Sequence, residues 1–255
     1  MNNMKVNKII QGDCLEVMKN IPDKSIDMIL ADLPYGTTSC KWDTIIPFEP
    51  LWEQYKRIIK DNGAIVLTAS QPFTSALVMS NVKMFKYELV WNKMIGGNFI
   101  QANKRILPSH ENILVFYKTL PTYNPQKTKK EKSIIRPNNN GSSGNSINSM
   151  SVAKNSIGRD NTMSFPVSIL NYSSKMQECN ALHRIHPTQK PVALFEYLIK
   201  TYTNEGDLVL DNVAGSGTTG VACKMLGRNY ILIEKEPEYV KICEERLKAI
   251  SRINI

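Results

Sequence analysis

The chain has no long apolar run. Its strongest stretches, residues 113–117 and 64–67, fall far short of the ~20 residues needed to cross a bilayer. Residues 1–5 lead into no apolar signal core, so secretion by that route is not expected and a cytoplasmic location is. Cysteine is sparse and scattered: Cys14, Cys40, Cys179, Cys223 and Cys243 form an odd set with no close pair. That argues against a disulfide framework and against a structural zinc site, and leaves each as a small buried hydrophobe. The three histidines, His110, His183 and His186, are not spaced as a shared ligand set, so no protein-bound metal is expected. Acidic residues are outnumbered, 23 against 32 basic, for a net charge of +9. A surplus of that size suggests a polyanionic partner, although many basic proteins bind no nucleic acid.

What is present is ordinary for a globular protein. The 255 residues are 42% hydrophobic and 22% charged, enough for a sizeable core in one or two domains. Compact apolar runs at 27–31, 64–68, 87–91 and 112–117 read as buried strands. A helical pattern over 51–60, ended by Asn62-Gly63, lies between the first two. From residue 186 the alternation resumes: helix 191–202, strand 207–211, helix to 226, strand 228–234 and helix 237–250. Such alternation predicts an α/β fold, a doubly wound and mostly parallel sheet covered on both faces.

Residues 121–185 break the pattern. Between 138 and 156, 14 of 19 residues are Asn, Ser or Gly, too polar to order alone, so a mobile loop is predicted. The segment also holds nine Lys or Arg against three acidic residues, +6 of the total +9. Lys127, Lys129, Lys130, Lys132, Arg136, Lys154, Arg159 and Lys175 are candidate nucleic-acid contacts. A charge run is often only a solvated face. Its concentration in the least regular segment favours an element that orders on a phosphate backbone. The expected organisation is one domain from 1–120 and 186–255, with 121–185 inserted.

Two short signatures carry chemistry. Asp211-Asn212-Val213-Ala214-Gly215-Ser216-Gly217-Thr218-Thr219 ends a strand and opens a helix. Its glycines permit a tight turn and close approach to a ligand, and the helix start offers free N–H groups. Glu234 closes the next strand, the placement of a carboxylate that holds ribose hydroxyls. An unliganded strand-to-helix turn remains the alternative. The second signature, Asp32-Leu33-Pro34-Tyr35, follows another strand. Asp32 can accept from an exocyclic amino group, the carbonyls near Leu33 and Pro34 can accept its second proton, and Tyr35 can stack on a base. A helix start with a packed aromatic is the alternative there.

Together these residues resemble the beta group of amino-group (N6-adenine or N4-cytosine) DNA methyltransferases that use S-adenosylmethionine. In that family the acceptor motif is Asp/Asn/Ser-Pro-Pro-Tyr and the cofactor turn Asp-Pro-Phe-x-Gly-Ser-Gly-Thr-Thr, in this order around a variable basic segment. The resemblance extends to Gly12-Asp13-Cys14 and to His186-Pro187-Thr188-Gln189-Lys190-Pro191. It implies a Rossmann-like methyltransferase fold with permuted motif order. It implies a base pocket from Asp32, Leu33, Pro34 and Tyr35, and a cofactor cradle from Asp211, Val213, Ala214 and the run Gly215, Ser216, Gly217, Thr218 and Thr219. Glu234 takes the ribose, Asp13 and Cys14 touch the adenine, and Thr188, Gln189 and Lys190 help hold the methionine carboxylate. The insert becomes the target-recognition region, double-stranded DNA the partner, and a homodimer an expectation. Leu33 departs from the family proline, and Asn212-Val213 from Pro-Phe, which is expected to leave space beside the cofactor.

The implied reaction needs neither metal nor covalent intermediate. Two acceptors draw the protons of an exocyclic amine and aim its lone pair at the sulfonium methyl. No Pro-Cys pair is present to serve C5-cytosine chemistry. Asp32 favours N6-adenine, with N4-cytosine as the close alternative. A nicotinamide-dependent dehydrogenase would leave the acceptor motif unexplained; a DNA-binding relative without catalysis is the third class. Trp91 and Lys93 follow a strand near the site: lining of the base pocket is one reading, core packing and a solvated charge the preferred ones, and His110-Glu111 is assigned no chemistry.

Overall fold

The structure, a computed structural model, describes residues 5–38, 43–130, 162–173 and 189–253. Strand β1 (Lys8–Gln11) and helix α1 (Cys14–Met18) open it, followed by β2 (Ile26–Ala31), α2 (Phe48–Ile58), β3 (Ile59–Ala69), α3 (Phe73–Ser80), β4 (Phe85–Asn92) and β5 (His110–Phe116). The short β6 (Thr128–Lys129) and β7 (Met163–Ser164) pair with each other. Then come β8 (Ile169–Asn171), α4 (Val192–Tyr202), β9 (Leu208–Asp211), α5 (Thr218–Met225), β10 (Asn229–Glu234) and α6 (Pro237–Ile253).

The main sheet runs β1-β10-β9-β2-β3-β5-β4-β8. Every neighbouring pair is parallel except those made by β5. In β2, Met28 and Leu30 point to one face and Ile29 and Ala31 to the other, each fully buried. That two-sided burial is why β2 reads as a continuous apolar run rather than an alternating one. Helix α4 buries Val192, Phe195, Ile199 and Tyr202 from one stripe against the first face. Helix α2 buries Leu51, Trp52, Tyr55 and Ile58 against the second.

Two features of this topology position the site. The chain leaves β2 toward β3 on one side and leaves β9 toward β10 on the other. The border between β9 and β2 is therefore the switch point, where a crevice opens beyond the strands' carboxyl ends. Because β5 runs backwards, its first residues reach the same edge, and Glu111 pairs with Trp91 near the end of β4.

Two expectations need correction. The helix expected over 51–60 stops at Ile58, and Ile59 already pairs with Ile26 in the sheet. Gly63 does not end that helix. A Cβ there would lie 2.8 Å from the Asp27 carbonyl, so glycine lets β3 pass its neighbour closely. The chain also divides differently: one compact unit is Met1–Asn124 with Ser168–Ile255, the other Pro125–Val167. The expected insert of 121–185 is too wide, because β8 hydrogen-bonds to β4 as a strand of the main sheet. Among the described residues no helix is long and apolar enough to cross a membrane.

Candidate active site

Asp32 is the first residue beyond β2, and its carboxylate is the hub of a buried network. Its Oδ1 accepts from the Tyr35 hydroxyl at 2.7 Å and from the Thr68 hydroxyl. Its Oδ2 accepts from the Lys190 ammonium at 2.7 Å. Lys190 also lies 3.3 Å from Glu111 Oε2, and Glu111 Oε1 lies 3.2 Å from Lys93. Burial alone would lower the Lys190 ammonium, but Asp32 and Glu111 on either side outweigh it and hold the group above the ordinary lysine value. The Tyr35 ring stacks on Phe73 at 5.3 Å, and burial followed by the Asp32 charge holds its hydroxyl well above the usual range. Leu33 is buried, 3% exposed, and both it and Pro34 line the cavity. The loop is fastened by Asp43, whose carboxylate accepts from the backbone N–H groups of Gly36, Thr37 and Thr38 at 2.7–2.9 Å.

The glycine turn has its own internal bracing. Asp211 Oδ2 accepts from the Thr219 hydroxyl at 2.5 Å, and Oδ1 from the Val213 N–H at 3.1 Å. Burial pushes the Asp211 carboxyl up to about 7. Glu234 accepts from Gly215 N–H at 2.7 Å and from Glu236 N–H at 2.8 Å, fixing one turn against the next. Arg246, 1% exposed on α6, reaches the Ser216 carbonyl at 2.7 Å and the Ser216 and Thr218 hydroxyls at 3.0 and 3.2 Å. Asn212, where the resembling family has proline, accepts from the Tyr55 hydroxyl at 2.6 Å. That buried bond ties the turn to α2.

Both turns line one cavity of about 720 Å³ in the larger unit. Of the residues singled out in sequence, Asp32, Leu33, Pro34 and Tyr35 line it from one side, and Asp211, Val213, Ala214, Gly215, Ser216, Thr218 and Glu234 from the other. Asp13 and Cys14, at the start of α1, and Gln189 and Lys190 complete the wall. Gly217 and Thr219 do not line it. Gly217, at φ 77°, packs where a Cβ would stand 2.9 Å from Cys243 Sγ, and Thr219 braces Asp211. Thr188 lies outside the described residues, as do Lys132, Arg136, Lys154, Arg159, Lys175, Cys40 and Cys179. Lys127 and Lys129 are exposed and Lys130 half-buried in the smaller unit, with Lys127 4.6 Å over the Phe165 ring. Cys14, Cys223 and Cys243 are buried as expected, and burial raises all three thiols.

Sequence reasoning missed Thr68, Tyr55 and Arg246 and gave Glu111 no chemistry; Trp91 and Lys93, weighed there as pocket residues, both line the cavity. Lys93 is not a solvated charge: its side chain is 19% exposed and paired with Glu111. For Glu111 the signal is the direction of β5, antiparallel to both β3 and β4, which has no local mark in the sequence.

The cavity fits a nucleoside cofactor. A Cβ on Gly215 would meet nothing within 4 Å, so the turn leaves open space where a ligand can approach the backbone. Glu234, at the end of the adjacent strand and hydrogen-bonded to the Gly215 N–H, lines the same cavity, and the volume is within the usual span of small-molecule sites.

A doubly wound sheet whose switch-point crevice joins a glycine turn to an Asp-x-Pro-Tyr turn defines an amino-group methyltransferase fold. The chain belongs to the DNA methylase family, whose model matches residues 26–245. It is 32% identical over 95% of its length to the DNA adenine methyltransferase YhdJ of Escherichia coli K12, covering 83% of that protein. It is 30% identical over 94% of its length to the type II methyltransferase M.HpaI of Haemophilus parainfluenzae, covering 74% of it. Among solved structures it resembles M1.HpyAVI bound to SAM at a TM-score of 0.61 and 26% identity, over 94% of this chain and 99% of that one.

Proposed function

We propose that the chain transfers a methyl group from S-adenosylmethionine to the N6 amino group of adenine at a specific site in duplex DNA. The carrying observation is that the acceptor turn and the glycine turn face one cavity, with Asp32 and Glu234 on its wall. Family membership, the adenine-specific name of one relative and the SAM-bound neighbour support the same reading.

The cofactor supplies an electrophilic methyl group on a sulfonium. Glu234 suits its ribose hydroxyls, Gly215 and Ser216 its close approach to the backbone, and Asp13 and Cys14 its adenine. Asp32 and a main-chain carbonyl near Pro34 accept hydrogen bonds from the two amino hydrogens, which aims the nitrogen lone pair at the methyl group; the one proton that the methylated nitrogen then sheds leaves by way of the Asp32 carboxylate. Asp32 acts as a fixed acceptor, already oriented by Tyr35, Thr68 and Lys190, so little reorganisation accompanies charge development. A target base inside a duplex must be extruded to reach the cavity, and the exposed Lys127 and Lys129, with the basic residues of the insert, suit phosphate contacts. The test is nucleoside analysis of duplex DNA incubated with protein and cofactor. N6-methyladenine is expected; N4-methylcytosine alone, or no methylated base, overturns the proposal.

A further inference from the structure

Asp32 is more crowded than a lone acceptor has to be. A carboxylate offers about four lone-pair positions. The Tyr35 and Thr68 hydroxyls occupy Oδ1 and the Lys190 ammonium takes one position on Oδ2, so among the described residues a single position on Oδ2 stays open. The Lys190 ammonium also forms an ion pair with Glu111, 3.3 Å from Oε2, a buried oxygen with no hydrogen-bond partner among the described residues. Glu111 is anchored in turn by Lys93 and by its place opposite Trp91 in the sheet. The side chains of Lys190 and Glu111 are only 7% and 15% exposed. Water contributes little there, so two carboxylates and two ammoniums of zero formal sum solvate one another. The Lys190 ammonium also lies 5.7 Å over the Tyr35 ring and 6.0 Å over the Trp91 ring, which restricts its swing.

We propose that Lys190 and Glu111 are a positioning pair for methyl transfer: Glu111 fixes Lys190, and Lys190 fixes Asp32 so that its Oδ2 meets the target amine. The inference rests on the proposed role of Asp32 as the amine's acceptor. An ammonium donates hydrogens and accepts none, so Lys190 orients and balances charge rather than removing a proton. The resemblance gives the segment of Lys190 to the methionine carboxylate, whereas the geometry gives its ammonium to the acceptor carboxylate and to a residue on β5, a strand outside the glycine turn.

The test compares Glu111→Gln, Glu111→Asp, Lys190→Met and Lys190→Arg for kcat, for KM toward DNA, and for cofactor Kd by calorimetry. Glu111→Gln and Lys190→Met are expected to lower kcat about 30-fold or more while cofactor Kd stays within about threefold. Lys190→Arg and Glu111→Asp should recover part of the loss, which a merely structural defect would not allow. If Lys190→Met fails to fold in a melting experiment, Glu111→Gln and Lys190→Arg carry the same comparison. A cofactor Kd weakened about tenfold or more with kcat near wild type at saturation would assign Lys190 to the cofactor and overturn the inference. So would a Glu111→Gln variant with unchanged kcat. Absence of transfer by the wild-type protein would instead sink the proposed function, and the positioning role with it.

Discussion

At the scale of single residues, Asp32 is set by its hydrogen-bond partners and Asp211 by its burial. Asp32→Ala is expected to reduce methyl transfer by about 10³-fold, read by labelled-methyl incorporation, while DNA binding in a gel-shift assay changes little. Asp211 gives a prediction of opposite kind. Its carboxyl is pushed by burial up to about 7, so the folded state favours the protonated form. The associated stability is fully present below the ordinary carboxylate value and is lost as pH rises through about 7. Thermal midpoints should fall between about pH 4 and about pH 7 and level off above that, and Asp211→Asn should flatten the dependence. At this scale the sequence was legible where chemistry forces a residue type, as at Asp32, Tyr35 and Glu234. It was not legible where partners meet from distant segments. Nothing near Asn212 announces Tyr55, 157 positions away, and nothing near Asp32 announces Thr68 or Glu111.

At the scale of elements, the glycine turn is held by α6 as much as by its own residues. Gly217→Ala forces a Cβ to 2.9 Å from Cys243 Sγ at a φ of 77°. A loss of about 2 kcal/mol is expected in urea unfolding. Arg246→Met leaves the Ser216 carbonyl and Thr218 hydroxyl without their buried donor. It should cost a similar ~2 kcal/mol and weaken cofactor binding measured by calorimetry. Most elements were readable from sequence because strands buried on both faces are continuous apolar runs and amphipathic helices keep their spacing. The end of α2 was misread because Asn62-Gly63 looks like a helix stop, when Gly63 serves close passage of β3 beside Asp27. The direction of β5 has no local signature, yet it delivers Glu111 to the site.

At the scale of the whole molecule, the charge excess is proposed to serve the DNA partner and the cavity the reaction. Duplex binding is expected to weaken steeply with salt, and changing Lys127, Lys129 and Lys130 together to Gln should reduce the log–log salt slope by up to about 3. The fold class and the convergence of two distant turns followed from strand alternation and motif order, since a parallel sheet places all its carboxyl ends on one edge. The extent of the insert did not, because the three residues of β8 are too few to stand out beside a polar stretch. The central claim is spatial: cofactor and target amine share the crevice between β9 and β2. A crystal structure of the protein with S-adenosylhomocysteine tests it most directly. The account predicts the ribose at Glu234, the adenosyl group along Gly215, and the sulfur turned toward Asp32 and Tyr35. A nucleoside bound outside this crevice, or a sulfur directed away from Asp32, would contradict it.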